Sequence, residues 1–167
     1  MHLLFVGAKG YKTATIILSA ARPKIIKRMD GRGVLDTTAL YVYEVTDSKS
    51  RLGSVLVQRA AGPHGAIEIV VGIGLDNKIT GVKIQRQREP QEIANRFMAS
   101  NWLHSYIGKD CDADFIPGKD LPDVAAPAKI AASCVATAVR SLLIQFDEGG
   151  KRFENQKPSH TNHENTK

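Results

Sequence analysis

A chain of 167 residues is long enough to bury a core and short enough to form a single domain. With 43% hydrophobic and 24% charged residues it has a globular composition, and no window reads as long enough to span a membrane. A net charge of +6 suits an anionic partner, but the basic residues are spread from Lys9 to Lys167 and only 6% of residues are aromatic. No RNA-binding signature forms, so nucleic acid is not an expected partner, and an anionic small ligand suits the charge equally well.

The N-terminus "MHLLFVGAKG" has an apolar run of four residues, Leu3 to Val6, without a basic lead or an Ala-x-Ala site. It does not read as a signal peptide. The chain is then cytoplasmic, or its start lies inside a longer gene. Residues 12–31 read as mixed, with a short helix in "SAARPKIIKRMDGRG", Ser19 as its cap, Pro23 early and Gly31 late. "ALYVYEV" (39–45) is rich in Tyr and Val and reads as a strand. A polar turn leads to a second strand, "GSVLVQRAAG" (53–62), paired with the first.

The clearest unit is "GAIEIVVGIGLDNKITGVKI". Ile67, Ile69, Val71 and Ile73 alternate with Glu68, Val70 and Gly72, and the returning strand places Thr80, Val82 and Ile84 on one face. This predicts a β-hairpin over 66–85 with one apolar face. Gly72-x-Gly74 is followed by a strand, so it is not a dinucleotide loop. After Pro90, Ile93, Phe97, Trp102 and Tyr106 recur at helical spacing with a break near Ser100, which predicts two short helices. A loop with Pro and Gly breakers follows, and a helix is predicted from Pro127 to Gln145. Its stripe is Ile130, Cys134, Ala138 and Leu142, with Val135, Val139 and Leu143 beside it. From Gly149 to Lys167 the apolar content is too low to fold, which predicts a domain over 1–148 and a disordered tail over 149–167. The fold class expected is α+β: an antiparallel sheet with a hairpin, covered on one face by helices.

Cys111 and Cys134 share no metal-like spacing with each other or with the five histidines, and their pairing stays open. No nucleophile–His–acid constellation and no metal site can be assembled. The last helix has an odd entrance. "DVAAPAKIAAS" puts Lys129 in the first turn, where the helix end is already positive.

The hairpin, then "REP", then "WLHSYIGK", then an Ala-rich helix with "AVRSLL" follow one another in an order that resembles the FMN-binding domain. That domain occurs in subunits of the Rnf and sodium-pumping NADH:quinone reductases and in exported proteins that stand alone. The resemblance covers residues 39–147. It implies flavin binding and electron transfer between redox partner proteins, membrane-bound ones among them, by a protein that is not a self-contained enzyme. It also implies an extracytoplasmic or periplasmic location, which the N-terminus does not support.

Aligned on the helix, "APAKIAA" (126–132) lies over the family's Ser/Thr-Gly-Ala-Thr-Ile/Leu-Ser/Thr-Ser. Lys129 stands where covalent members carry the threonine that takes FMN through a phosphoester, Ala126 stands for the first small residue and Pro127 for the glycine. Lysine has no hydroxyl, so FMN is expected non-covalently or not at all. In one reading Lys129 and the helix N-terminus, with Ala126, Ala128 and Ile130, hold the flavin phosphate. In the other the motif has decayed, as Ala131 and Ala132 in place of hydroxyl residues suggest, and the domain is a non-redox binding or interaction module. By the same resemblance Arg86, Arg88 and Glu89 approach the flavin, unless "QRQRE" is a solvated strand end. Trp102 and Tyr106 either stack on a ring or belong to the core. His64 reads as a turn residue.

Overall fold

A computed structural model describes residues 4–33, 35 and 37–154, the side chains of 151–154 excepted. Five strands form one antiparallel sheet in sequence order: β1 (Gly10–Ile17), β2 (Ala39–Thr46), β3 (Arg51–Gly62), β4 (Gly65–Gly74) and β5 (Ile79–Arg86). Four helices accompany them: α1 (Arg22–Met29), α2 (Gln91–Phe97), α3 (Ser100–His104) and the long α4 (Lys129–Glu154). The α+β class is as expected.

The predicted hairpin is present, and Ile67, Ile69, Val71 and Ile73 are fully buried against the helices. One detail differs. Gly72 pairs with Gly81 and Ile73 with Ile79, so Thr80 is bulged out of the ladder and Ile79 takes its place in the core. An extra residue reverses the face of what precedes it, which simple alternation cannot anticipate.

Strand β1 is absent from the sequence reading and pairs with β2 along its whole length. Its residues, "GYKTATII", are mostly exposed, with only Ile16 buried, so no apolar face announces it. Helix α1 begins after Ala21, with Pro23 in its first turn, and ends at Asp30 in the left-handed region. Ser19 is therefore not its cap, and the chain turns through Asp30 and Gly31, both in the left-handed region.

Helix α4 starts at Lys129, two residues later than predicted, and runs well past Gln145. The expected boundary at Gly149 moves accordingly. Residues 149–154 continue the helix, and a Cβ on Gly149 would lie 2.7 Å from Ile16 Cγ2 and 2.9 Å from Leu18 Cδ2. The contact with β1, not local apolar content, carries the helix onward. Arg28 of α1 secures the same end, 2.5 Å from Asp147 and 2.7 Å from Glu148. The remainder of the predicted tail, 155–167, lies outside the described residues. From Lys129 to Gly150, α4 is long and apolar enough to cross a membrane by length and composition alone, contrary to the expectation from the sequence. Here 61% of that window is buried, because α4 lies across the sheet as the core helix.

Truncation after Glu148 is therefore expected to lower the melting temperature by a few degrees, since about 1 kcal/mol corresponds to roughly 2–4 °C at this size. Truncation after Glu154 retains the contact and serves as the reference. An unchanged melting temperature in the shorter protein would show that the Gly149 contact contributes nothing.

Candidate functional site

Strands β2 and β3 part company along their length. Their ladder runs from Thr46–Arg51 to Val42–Leu56, and beyond that pair, among the described residues, Val57 to Gly62 pair with β4 alone. In an antiparallel strand alternate residues turn their N–H and C=O groups to one side or the other, so this stretch has a free backbone edge. Helix α4 passes beside it. The result is a cleft of about 640 Å³, with Gln58 to Ala61 on one wall, Gly33 at one end, and Lys129, Ile130, Ser133, Cys134, Thr137, Ala138 and Ser141 of α4 on the other wall. Its size is that of a small-molecule site.

The stripe predicted for the core faces this cleft over its first half. Ile130 is 65% exposed and Cys134 half-buried, whereas Leu142 is fully buried over the sheet. Where β2 and β3 separate, α4 borders the β3 edge, and the face turned to the cleft stays open while Ala131, Ala132, Val135 and Ala136 are buried. Burial pushes the Cys134 thiol above its ordinary range, with the Glu89 carboxylate adding to the effect, so it stays protonated. Cys111 and Cys134 are both free thiols.

Lys129 lies at the mouth of the cleft, its ammonium 3.0 Å from Asp123, with both side chains more than half exposed. The lysine hydrogen bond, then the Val124 N–H, hold the Asp123 carboxyl below its usual range. The cation at the positive helix end is thus offset by a carboxylate from the preceding loop. Ile130 stands next to Lys129 on the same wall. Ala128 is fully buried and Ala126 is exposed, and neither lines the cleft.

Arg86 and Arg88 line a second depression of about 480 Å³ together with Arg59, Ala66, Glu68 and Gln87. Arg59 borders both hollows, and its guanidinium is turned toward Glu68, 3.4 Å away. Glu68 also approaches Arg86 at 3.9 Å.

Glu89 lies under the β3–β4 turn, with its side chain wholly buried. It accepts a hydrogen bond from the His64 backbone N–H at 3.0 Å and lies 2.6 Å from His64 Nδ1. Gly62 is required there, because a Cβ would come within 2.5 Å of the Glu89 carboxylate. His64 is a turn residue, as expected, and Glu89 is what fixes the turn. Trp102 is core. It is 2% exposed, donates to the Pro122 carbonyl at 3.2 Å, and packs edge-on against Tyr106 at 5.1 Å. No cluster of His, Cys, Asp and Glu able to hold a metal occurs among the described residues.

The fold therefore brings Lys129 and Ile130 together at one cleft and Arg86 and Arg88 at its neighbour, while Glu89 and Trp102 are engaged elsewhere. The sequence reading missed Gly33, the β3 edge, and the hydroxyls of α4. One signal for the last was present: Ser133, Thr137 and Ser141 follow Lys129 at intervals of four residues, which places all of them on one face of a helix.

These features define an α+β domain with a ligand-sized cleft between its long helix and a strand edge. No family model matches the chain. It is 26% identical over 146 residues to the G subunit of the ion-translocating oxidoreductase complex from two Pseudomonas aeruginosa strains, a match that covers 81% of this chain and 59% of theirs. The chain thus spans about three fifths of the length of these curated relatives. The crystal structure of Shewanella oneidensis NqrC has the same fold, with a TM-score of 0.63 and 17% identity over 88% of this chain and 85% of that one. The chain is similar in sequence to this oxidoreductase component and has the fold of NqrC, in keeping with the FMN-binding domain resemblance.

Replacing Glu89 with Ala is expected to cost about 1.5–3 kcal/mol in urea unfolding, because the charge-assisted hydrogen bond from the His64 N–H to the buried carboxylate is lost. Glu89→Gln keeps an acceptor oxygen and is expected to cost less. Equal losses for the two variants would mean that packing, not the hydrogen bond, holds the turn.

Proposed function

We propose that the chain is a flavin-binding electron-transfer protein that holds FMN without a covalent bond, in the cleft between α4 and the free edge of β3. The observation that carries this reading is Lys129 at the mouth of a cleft of about 640 Å³, on a homologue of an oxidoreductase component. Two features of the inner end fit a bound group. The Ser141 hydroxyl is buried without a partner, and a Cβ on Gly33 would lie 2.4 Å from it, so only glycine leaves this end open.

FMN, when bound, supplies the redox chemistry. The chain binds and orients it. The first N–H groups of α4 have no intrahelical partners, and they and Lys129 together suit a dianionic phosphate. Asp123 occupies the lysine in the free protein, and its exposure lets the phosphate compete for the ammonium. Lys129 offers no oxygen, so a phosphoester cannot form at this position. As a component of such a complex, the protein would pass electrons between partner proteins at a membrane, on its extracytoplasmic side. The Lys129–Asp123 pair also supports a second reading, a non-redox module, since it neutralises the lysine with no ligand. A flavin spectrum after purification, or after incubation with FMN and gel filtration, separates the two.

Lys129→Ala is expected to weaken FMN by about 1.5–3 kcal/mol, the range for a charge-assisted hydrogen bond, and to leave riboflavin nearly unaffected. Asp123→Asn, which removes the competing carboxylate, is expected to tighten FMN. Added salt should weaken FMN in the wild type, because so exposed a pair is screened. Equal wild-type affinities for FMN and riboflavin, by fluorescence quenching, would exclude the phosphate role.

A further inference from the structure

Lys129, Ser133, Thr137 and Ser141 all line the cleft and lie one above another on α4. Twelve residues of helix separate the first from the last, roughly 18 Å at ~1.5 Å per residue. The stripe also runs from solvent into the fold. The Lys129 side chain is 55% exposed, Ser133 and Thr137 are half-buried, and Ser141 is 3% exposed. Chemistry changes along the same axis, from a cation through two accessible hydroxyls to a buried one with no partner.

We infer that this stripe sets the direction of the bound flavin: Lys129 takes the phosphate, Ser133 and Thr137 the hydroxylated tail, and Ser141 the polar edge of the ring, which lies inward beside Gly33. The inference rests on the flavin reading above and adds the orientation. A phosphate placed at the inner end would lose its hydration without gaining a cation, since the other basic residue at the cleft, Arg59, is turned to Glu68. A ring placed there gains apolar contact from Ala138 and hydrogen-bonding groups from the β3 edge opposite. The buried Ser141 hydroxyl is then satisfied only when the ligand is present. Such a group contributes nothing to the free protein, and replacing it with Ala should leave the ligand-free fold as stable or more stable.

The test uses three ligands that shorten stepwise, FMN, riboflavin and lumiflavin (the ring without the tail), titrated by fluorescence quenching against three variants. Lys129→Ala should weaken FMN alone. Thr137→Val, which removes a hydroxyl at constant shape, should weaken FMN and riboflavin about three- to tenfold and leave lumiflavin unchanged, with Thr137→Ser restoring affinity. Ser141→Ala should weaken all three ligands by one common factor of similar size, with no fall in the ligand-free melting temperature. The reverse order, with Ser141→Ala acting on FMN alone and Lys129→Ala on all three, would overturn the orientation. So would Thr137→Val and Ser141→Ala variants that bind every ligand as the wild type does. A wild-type protein that binds none of the three would instead overturn the flavin reading, and this inference with it.

Discussion

The separation of β2 from β3 beyond the Val42–Leu56 pair is the constraint on which the site depends. A long helix packed on a continuous sheet would bury its whole inner stripe. Here the sheet continues under the second half of that stripe and opens under the first. Leu142 is buried, Ile130 is exposed, and the same spacing of residues yields core at one end and cleft at the other. A strand edge left without a neighbour also presents backbone donors and acceptors, which are normally consumed in a ladder. The cleft wall formed by β3 thus offers backbone groups beside the side chains of Gln58 and Arg59.

Electrostatics at the entrance follow from the same geometry. A lysine in the first turn of a helix opposes the helix dipole, at a cost that surface exposure keeps to a fraction of a kcal/mol. Asp123 offsets it from the loop, at 3.0 Å. An exposed ion pair of this kind contributes little to stability, so exchanging the carboxylate for a phosphate disturbs little else. The pair at the β3–β4 turn is of a different kind, with Glu89 buried and His64 half exposed. Glu89 and His64, linked at 2.6 Å under the β3–β4 turn, hold the far end of the strand whose edge forms the cleft wall. Glu89 thereby fixes the turn at the end of β3.

The likeness to known proteins is one of fold and pattern. The likeness to the Pseudomonas oxidoreductase component extends over 146 residues at 26% identity, and the fold of NqrC is retained at 17%. Cores tolerate such divergence because volume and pattern, not identity, maintain them. The hydroxyls of α4 lie further along the helix, at 133, 137 and 141, where they face the cleft rather than its mouth.

What the sequence determined by itself was the set of elements whose pattern is local and strong. The hairpin showed in strict alternation, the two short helices in a broken helical period, and α4 in its apolar stripe. That residue 129 is a lysine and carries no hydroxyl was legible too. Tertiary structure alone decided the rest. Strand β1 forms because β2 offers it a partner, not because its own residues bury a face. Helix α4 extends to Glu154 because Gly149 lets it lie against Ile16 and Leu18 of the β1 end. Trp102 joins the core and Glu89 the turn because neighbours distant in sequence claim them. The cleft itself has no local signature, since it arises where two strands diverge, and divergence is a property of the pair and of neither strand alone.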